Sequence, residues 1–160
     1  MGLRLGGLSD THLSHVTKAL ERIFDEHLAG VDVIVHAGDV VSPEVIDFLA
    51  RKDLRAVSGN MDPPELRQRL PVKTVFQLGP YRFGLIHGWG PAGGIEERVR
   101  GQFNDVDVIV YGHSHQPANH ERGGVRYFNP GTATGFSSEG RHSIGMIEIG
   151  DALHAEIITI

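Results

Sequence analysis

The chain has no cysteine. That excludes disulfide staples, thiolate zinc sites and cysteine nucleophiles. No stretch approaches the ~20 consecutive apolar residues of a membrane span. The opening run Met1-Gly2-Leu3-Arg4-Leu5-Gly6-Gly7 carries one charge and little apolar length, so it reads as a first strand rather than a signal peptide, and a cytoplasmic location is expected. Gly88-Trp89-Gly90-Pro91-Ala92-Gly93-Gly94 is glycine-rich but lacks the Gly-Lys-Ser/Thr ending of a phosphate-binding P-loop. There is no internal repeat and no linker-like boundary, so residues 1–160 are expected to form a single domain. The net charge of −5 argues against a surface that coats nucleic acid. Composition is otherwise that of an ordinary globular protein, 40% apolar and 22% charged.

The pattern of apolar residues predicts an alternation of strand and helix in the first half. Leu3 to Leu8 is a short apolar run. Val16, Ala19, Leu20, Ile23 and Phe24 recur at helical spacing, predicting a helix over Ser14 to Leu28. Val31 to His36 is a continuous β-branched run of the kind buried on both faces. Ser42-Pro43-Glu44 supplies a cap and a first-turn proline. Arg55 to Ser58 reads as another strand. In Asp62-Pro63-Pro64-Glu65 the spacing predicts that Asp62 caps a helix. The second half reads mostly as strands: Lys73 to Leu78 with Tyr81 to His87, Val106 to Tyr111, Ala118 to Arg122 with Val125 to Asn129, and Ser143 to Ile149 with Leu153 to Thr159. A helix is expected over Ile95 to Phe103. The expected fold class is α/β (α+β), with two mixed sheets packed together and helices outside.

What the chain has in abundance is metal-ligand chemistry at strand ends. Asp10 and His12 follow the first strand. Asp39 follows Gly38, Asn60 follows Gly59, His87 precedes Gly88, and His113 and His115 follow Gly112. Two carboxylates, one amide oxygen and four imidazoles are too many ligands for one ion. They suit two divalent ions sharing a carboxylate, for which Asp39 is the candidate. A nitrogen and oxygen set without sulfur suits manganese, nickel, iron(II) or zinc better than calcium. Ligand identity does not choose among them; manganese is the expected cofactor. Two divalent ions against two carboxylates leave a positive site, so an anionic substrate is expected. The glycines beside the ligands permit close approach of backbone and ion. His36 reads as a satisfied core histidine, and His15 as a surface residue. Trp89 belongs either to a mobile lid or to a loop entering a helix, the latter being the simpler reading.

In that order, Asp-x-His, Gly-Asp, Gly-Asn, His-Gly and Gly-His-x-His resemble the calcineurin-like metallophosphoesterase superfamily, and the short chain resembles its small bacterial and archaeal phosphodiesterases. Asn129-Pro130-Gly131-Thr132 is similar to a turn common in that group. The resemblance implies a four-layer αββα sandwich with a dinuclear centre. It implies Asp10, His12, Asp39 and His115 on one ion, and Asp39, Asn60, His87 and His113 on the other. The implied reaction is hydrolysis of a small or nucleotide-like phosphodiester by a hydroxide held between the ions, with Asp39, Asn60 and His87 as catalytic residues. The implied partner is a small phosphate ester, with no membrane and no nucleic acid, and a homo-oligomer is compatible with the chain. Many relatives continue Gly-Asn-His, and that histidine protonates the leaving group. Here Met61 stands in its place, and a thioether donates no proton. The alternative function is a protein-interaction scaffold of the retromer-subunit type, which the intact His12 disfavours. A DNA nuclease would need capping domains for which 160 residues leave no room.

Overall fold

The computed structural model describes residues 2–160. Ten strands form two mixed sheets of five. The first sheet runs β10-β9-β1-β2-β3 and the second β4-β5-β6-β8-β7. In the first, β1 (Leu3–Leu8), β2 (Val33–His36) and β3 (Asp53–Ala56) are parallel, and β9 (Ser143–Ile149) and β10 (Leu153–Thr159) are antiparallel additions. In the second, β5 (Tyr81–Ile86), β6 (Val108–Val110) and β8 (Val125–Asn129) are parallel between the antiparallel edges β4 (Lys73–Leu78) and β7 (Ala118–Arg122).

The sheets stack face to face, and the layering follows from strand alternation. Leu5, Val33 and Val35 meet Phe83, Leu85, Val110 and Phe128 between the sheets. Leu8 and Ile34 point the other way, against Leu20, Leu28, Val45, Leu49 and Leu66 of the first helical layer. Ile86 and Ile109 pack outward against Ile95, Val99 and Phe103. That is the αββα order the motifs imply. The four residues of β2 are all buried, as a strand covered on both faces requires.

The helices are α1 (Lys18–Ile23, continued by a π-helical turn, Phe24–Leu28), α2 (Pro43–Leu49), α3 (Pro64–Arg69) and α4 (Ile95–Arg100). Ser42 caps α2 as expected, accepting from the Glu44 N–H at 3.2 Å. Three helix expectations are corrected. The helix expected over Ile95 to Phe103 ends at Arg100, where Gly101 is the C-cap. The first helix starts at Lys18, not Ser14, because Thr17 accepts the Leu20 N–H at 3.2 Å. The residues before it run as a loop, pinned by Val16 N–H to the Glu44 carboxylate at 2.7 Å. The α3 N-cap is Pro63, without a side-chain bond, so Asp62 is not its cap. Among the described residues no helix is long and apolar enough to cross a membrane.

Every parallel strand end that carries a predicted ligand opens onto one edge of the sandwich: β1 before Asp10, β2 before Asp39, β3 before Asn60, β5 before His87, and β6 before His113. Ligand groups gather at the carboxyl ends of parallel strands because turns there are free to differ while the sheet fixes their origins.

Candidate metal centre

All seven predicted ligand residues converge. His87 Nε2 lies 3.2 Å from Asp39 Oδ2, 3.8 Å from Asp10 Oδ1 and 3.0 Å from Asn60 Oδ1. His113 Nδ1 lies 3.2 Å from Asn60 Oδ1 and 3.3 Å from His87 Nε2. On the other side His12 Nε2 lies 3.7 Å from Asp10 Oδ1 and 3.6 Å from Asp39 Oδ2, and His115 Nε2 is 3.4 Å from Asp10 Oδ1. Residues from five loops thus present atoms to one small volume.

Each carboxylate uses one oxygen for the protein and turns the other inward. Asp10 Oδ2 accepts from Ser9 Oγ at 2.5 Å and from the His113 N–H at 3.0 Å. Asp39 Oδ1 accepts the Met61 N–H at 2.8 Å. The inward oxygens are Asp10 Oδ1 and Asp39 Oδ2. Asp39 Oδ2 faces both His12 and His87, which suits a shared carboxylate. Asp10 Oδ1 is also within 4 Å of histidines on both sides, so it competes for that place.

Backbone carbonyls set the tautomers. His87 Nδ1 donates to Ala37 O at 2.8 Å, leaving Nε2 inward. His113 Nε2 donates to Gly90 O at 2.9 Å, leaving Nδ1 inward. His115 Nδ1 donates to Phe136 O, leaving Nε2 inward. A carbonyl behind an imidazole is the arrangement that orients a ligating histidine.

The electrostatics match. Burial pushes Asp10 up, but the facing imidazoles of His115, His12 and His87 override it and hold the acid well below the usual carboxylate range. Asp39 is likewise lowered against the effect of burial, chiefly by His87. Burial works against a charged His87, yet Asp39 and Asp10 keep its pKa raised. Asp10 pushes His115 up to about 8.

The residues fit a metal. Asp10 Oδ1 and His12 Nε2 are buried polar atoms with no hydrogen-bond partner. Such atoms are rare, and a bound cation would partner both. Asp10, His12 and His115 form one group of donors, and Asp10, Asp39 and His87 another, with ligand atoms inside each group lying within 4.8 Å of one another. The set is hard oxygen and imidazole nitrogen, which suits first-row divalent ions.

Glycine creates the space. A Cβ on Gly112 would overlap Ser9 Oγ and sit 2.7 Å from Asp10 Oδ2. On Gly59 it would strike Asp39. The room these two glycines leave is taken by the Ser9, Asp10 and Asp39 side chains of the cluster.

Asp62 is the residue that sequence reasoning misplaced. It is buried, and its carboxylate collects three backbone N–H groups: Asp39 at 3.0 Å, Gly59 at 2.7 Å and Val41 at 2.7 Å. It ties the loop after β2 to the loop after β3. The sequence signal was its position two residues after Asn60, which the nearby prolines and Glu65 disguised as a helix start. His36 is a core histidine as expected, with Nδ1 accepting the Gly38 N–H at 3.1 Å and Nε2 3.0 Å from Thr11 Oγ1. His15 is exposed beside Ser14. A cleft of about 510 Å³ lies between α1 and the end of β10, lined by Arg22, His27 and His142, and shares no residue with the ligand cluster.

A calcineurin-like phosphoesterase superfamily domain matches residues 3–152. The chain belongs to this superfamily. It is 33% identical to a probable metallophosphoesterase of Methanocaldococcus jannaschii over 98% of this chain and 81% of that protein. It is 26% identical to a phosphodiesterase of the same organism, covering 98% and 99% of the two chains. Vacuolar protein sorting 29 of Cryptosporidium parvum has a similar structure, with a TM-score of 0.77 and 26% identity over 99% of this chain and 98% of the other. Met61 follows Asn60 in this calcineurin-like phosphoesterase. That side chain is 59% exposed, while its backbone N–H holds Asp39.

Proposed function

We propose that this calcineurin-like phosphoesterase is a divalent-metal-dependent phosphodiesterase acting on small or nucleotide-like esters in the cytoplasm. The observation that carries the proposal is the pair of orphaned, inward-facing atoms Asp10 Oδ1 and His12 Nε2 inside a ring of tautomer-fixed imidazoles. Asp10, His12, Asp39 and His115 would hold one ion, and Asp39, Asn60, His87 and His113 the other. The donors suit first-row divalent ions, and manganese is the ion proposed, with nickel, iron(II) or zinc as alternatives. Bound divalent ions supply positive charge against the phosphoryl oxygens and lower the pKa of water held between them.

The chain's own residues do the rest. With its Oδ1 turned to the cluster, Asn60 has an amide N–H₂ free to donate to a phosphoryl oxygen. Arg67 holds the Asn60 carbonyl at 2.9 Å, fixing the loop from behind. Asp62 locks the backbone of Asp39 and Gly59. Met61 offers no proton to a leaving alkoxide, so esters with acidic leaving groups are the better substrates. General acid catalysis contributes roughly 10²–10⁴ in rate, which bounds the gain that Met61→His brings on alkyl esters. An unchanged alkyl-to-aryl rate ratio in that variant would remove this part of the proposal.

The likeness to vacuolar protein sorting 29 favours a second reading, a protein-interaction scaffold with a vestigial site. One assay separates them. Metal-free protein is loaded separately with manganese, nickel, zinc or magnesium and offered phosphodiesters, phosphomonoesters and cyclic nucleotides. Metal-dependent diester turnover supports the enzyme. Tight metal binding without turnover on any ester supports the scaffold.

A further inference from the structure

A cleft of about 330 Å³ opens directly beside the ligand cluster, and His87 and Asn60 line it. Its walls are unlike the cluster. Val72 is 69% exposed and Trp89 is 44% exposed, so two large apolar side chains face solvent within one concavity. Isolated exposed apolar residues need no explanation; two sharing a cleft that ends on candidate ligands do. Arg67 adds positive charge to the wall.

The Trp89 loop is held in place. Arg98 Nε donates to Trp89 O at 2.8 Å, Nη1 to Gly93 O at 3.2 Å, and Nη2 to Pro91 O. His113 donates to Gly90 O at 2.9 Å, which links the loop to the cluster itself. These bonds hold the loop as one wall of the cleft that Asn60 and His87 also line.

We infer that this cleft receives a flat aromatic arm of the substrate, a nucleobase, stacked against Trp89 and bounded by Val72. The inference rests on the phosphodiesterase reading for its substrate class, and it names the arm that the reading leaves open. A nucleobase suits the cleft because a π-face stacks on an indole whatever its edge pattern, and the walls offer apolar area with a cation for the adjoining phosphate.

Trp89 is the sole tryptophan, so its emission reports on this cleft alone. The test titrates the protein, with and without manganese, with adenosine 5′-monophosphate and with ribose 5-phosphate, which differ only in the base. The nucleotide is expected to quench Trp89 and to bind at least about fivefold tighter, the lower end of base–aromatic stacking. Val72→Ser, which keeps the fluorophore, should shrink that preference, and Trp89→Ala, followed by titration calorimetry, should erase it. Equal affinity for the two ligands in the unmodified protein would overturn the inference, as would a preference that survives Trp89→Ala. The outcome is separable from the catalytic reading. Base preference without metal-dependent turnover would support the cleft and sink the phosphodiesterase. Turnover without base preference would do the reverse.

Discussion

At the hairpin joining β7 to β8 the backbone enters the left-handed region at Gly123 (φ 61°) and Gly124 (φ 80°), where a missing Cβ makes that conformation cheap. At the metal-facing edge the same region is occupied by Asp10 (φ 52°), His12 (φ 49°), Asp39 (φ 59°), His113 (φ 71°) and His115 (φ 63°). Val41 joins them at φ 79°, and a β-branched residue there is a marked outlier. Each such residue costs of order 1–3 kcal/mol. One end of the sandwich is built for turning, and the other holds ligands in strained backbone that its surroundings must enforce. Those surroundings are visible: Asp10 N–H bonds Gly38 O and His12 N–H bonds Asp39 O, each at 3.0 Å, while Asp62 anchors both Asp39 and Val41.

The largest effect follows from making the metal edge resemble the hairpin. Asp39→Gly keeps the left-handed conformation at no strain and removes the inward carboxylate. Turnover should fall to background and metal uptake should drop, while the melting temperature of the metal-free protein holds or rises. A variant that melts early and still turns over would mean Asp39 is structural.

Next is the brace. Asp62→Ala leaves three backbone N–H groups without their acceptor and frees two strained residues. Positioning partners of this kind typically cost 10–100-fold in metal affinity or activity, and a loss of about that size is expected by metal titration. Asp62→Asn retains one acceptor oxygen and should lose less. No change in metal affinity in either variant would show that the loops hold themselves.

The last contrast is between histidines. His87 and His115 are raised by facing carboxylates, whereas burial lowers His36 to about 4. A base depressed on folding contributes stability above its unfolded value near 6.5, and that contribution drains away as pH falls towards 4. The loss is roughly 3 kcal/mol at most. Denaturant unfolding at stepped pH should show the decline, and His36→Asn should flatten it. An identical decline in the variant would assign it to other groups.

Much of this was legible in the sequence. β1, β4, β7, β8, β9 and β10 span the residues that their apolar patterns mark, because each alternation or turn glycine matches its pairing. β3 lies two residues earlier than expected, at Asp53–Ala56, since its register with β2 ends at His36 opposite Ala56 and the chain then leaves the ladder. The side chains of the candidate cluster were readable because metal chemistry demands particular side chains. The groups that orient it were not. Ala37, Gly90 and Phe136 act through carbonyl oxygens, which any residue carries, so no letter of the sequence marks them. Asp62 was hidden differently: its side chain satisfies distant backbone, and local spacing offered a simpler role.

The central claim is that two cations share this cluster. Metal-free protein should be titrated with manganese and, after removal of excess, analysed for bound metal per chain by atomic emission. Two equivalents, falling on Asp39→Gly, are expected. A single equivalent that persists in that variant would contradict the account.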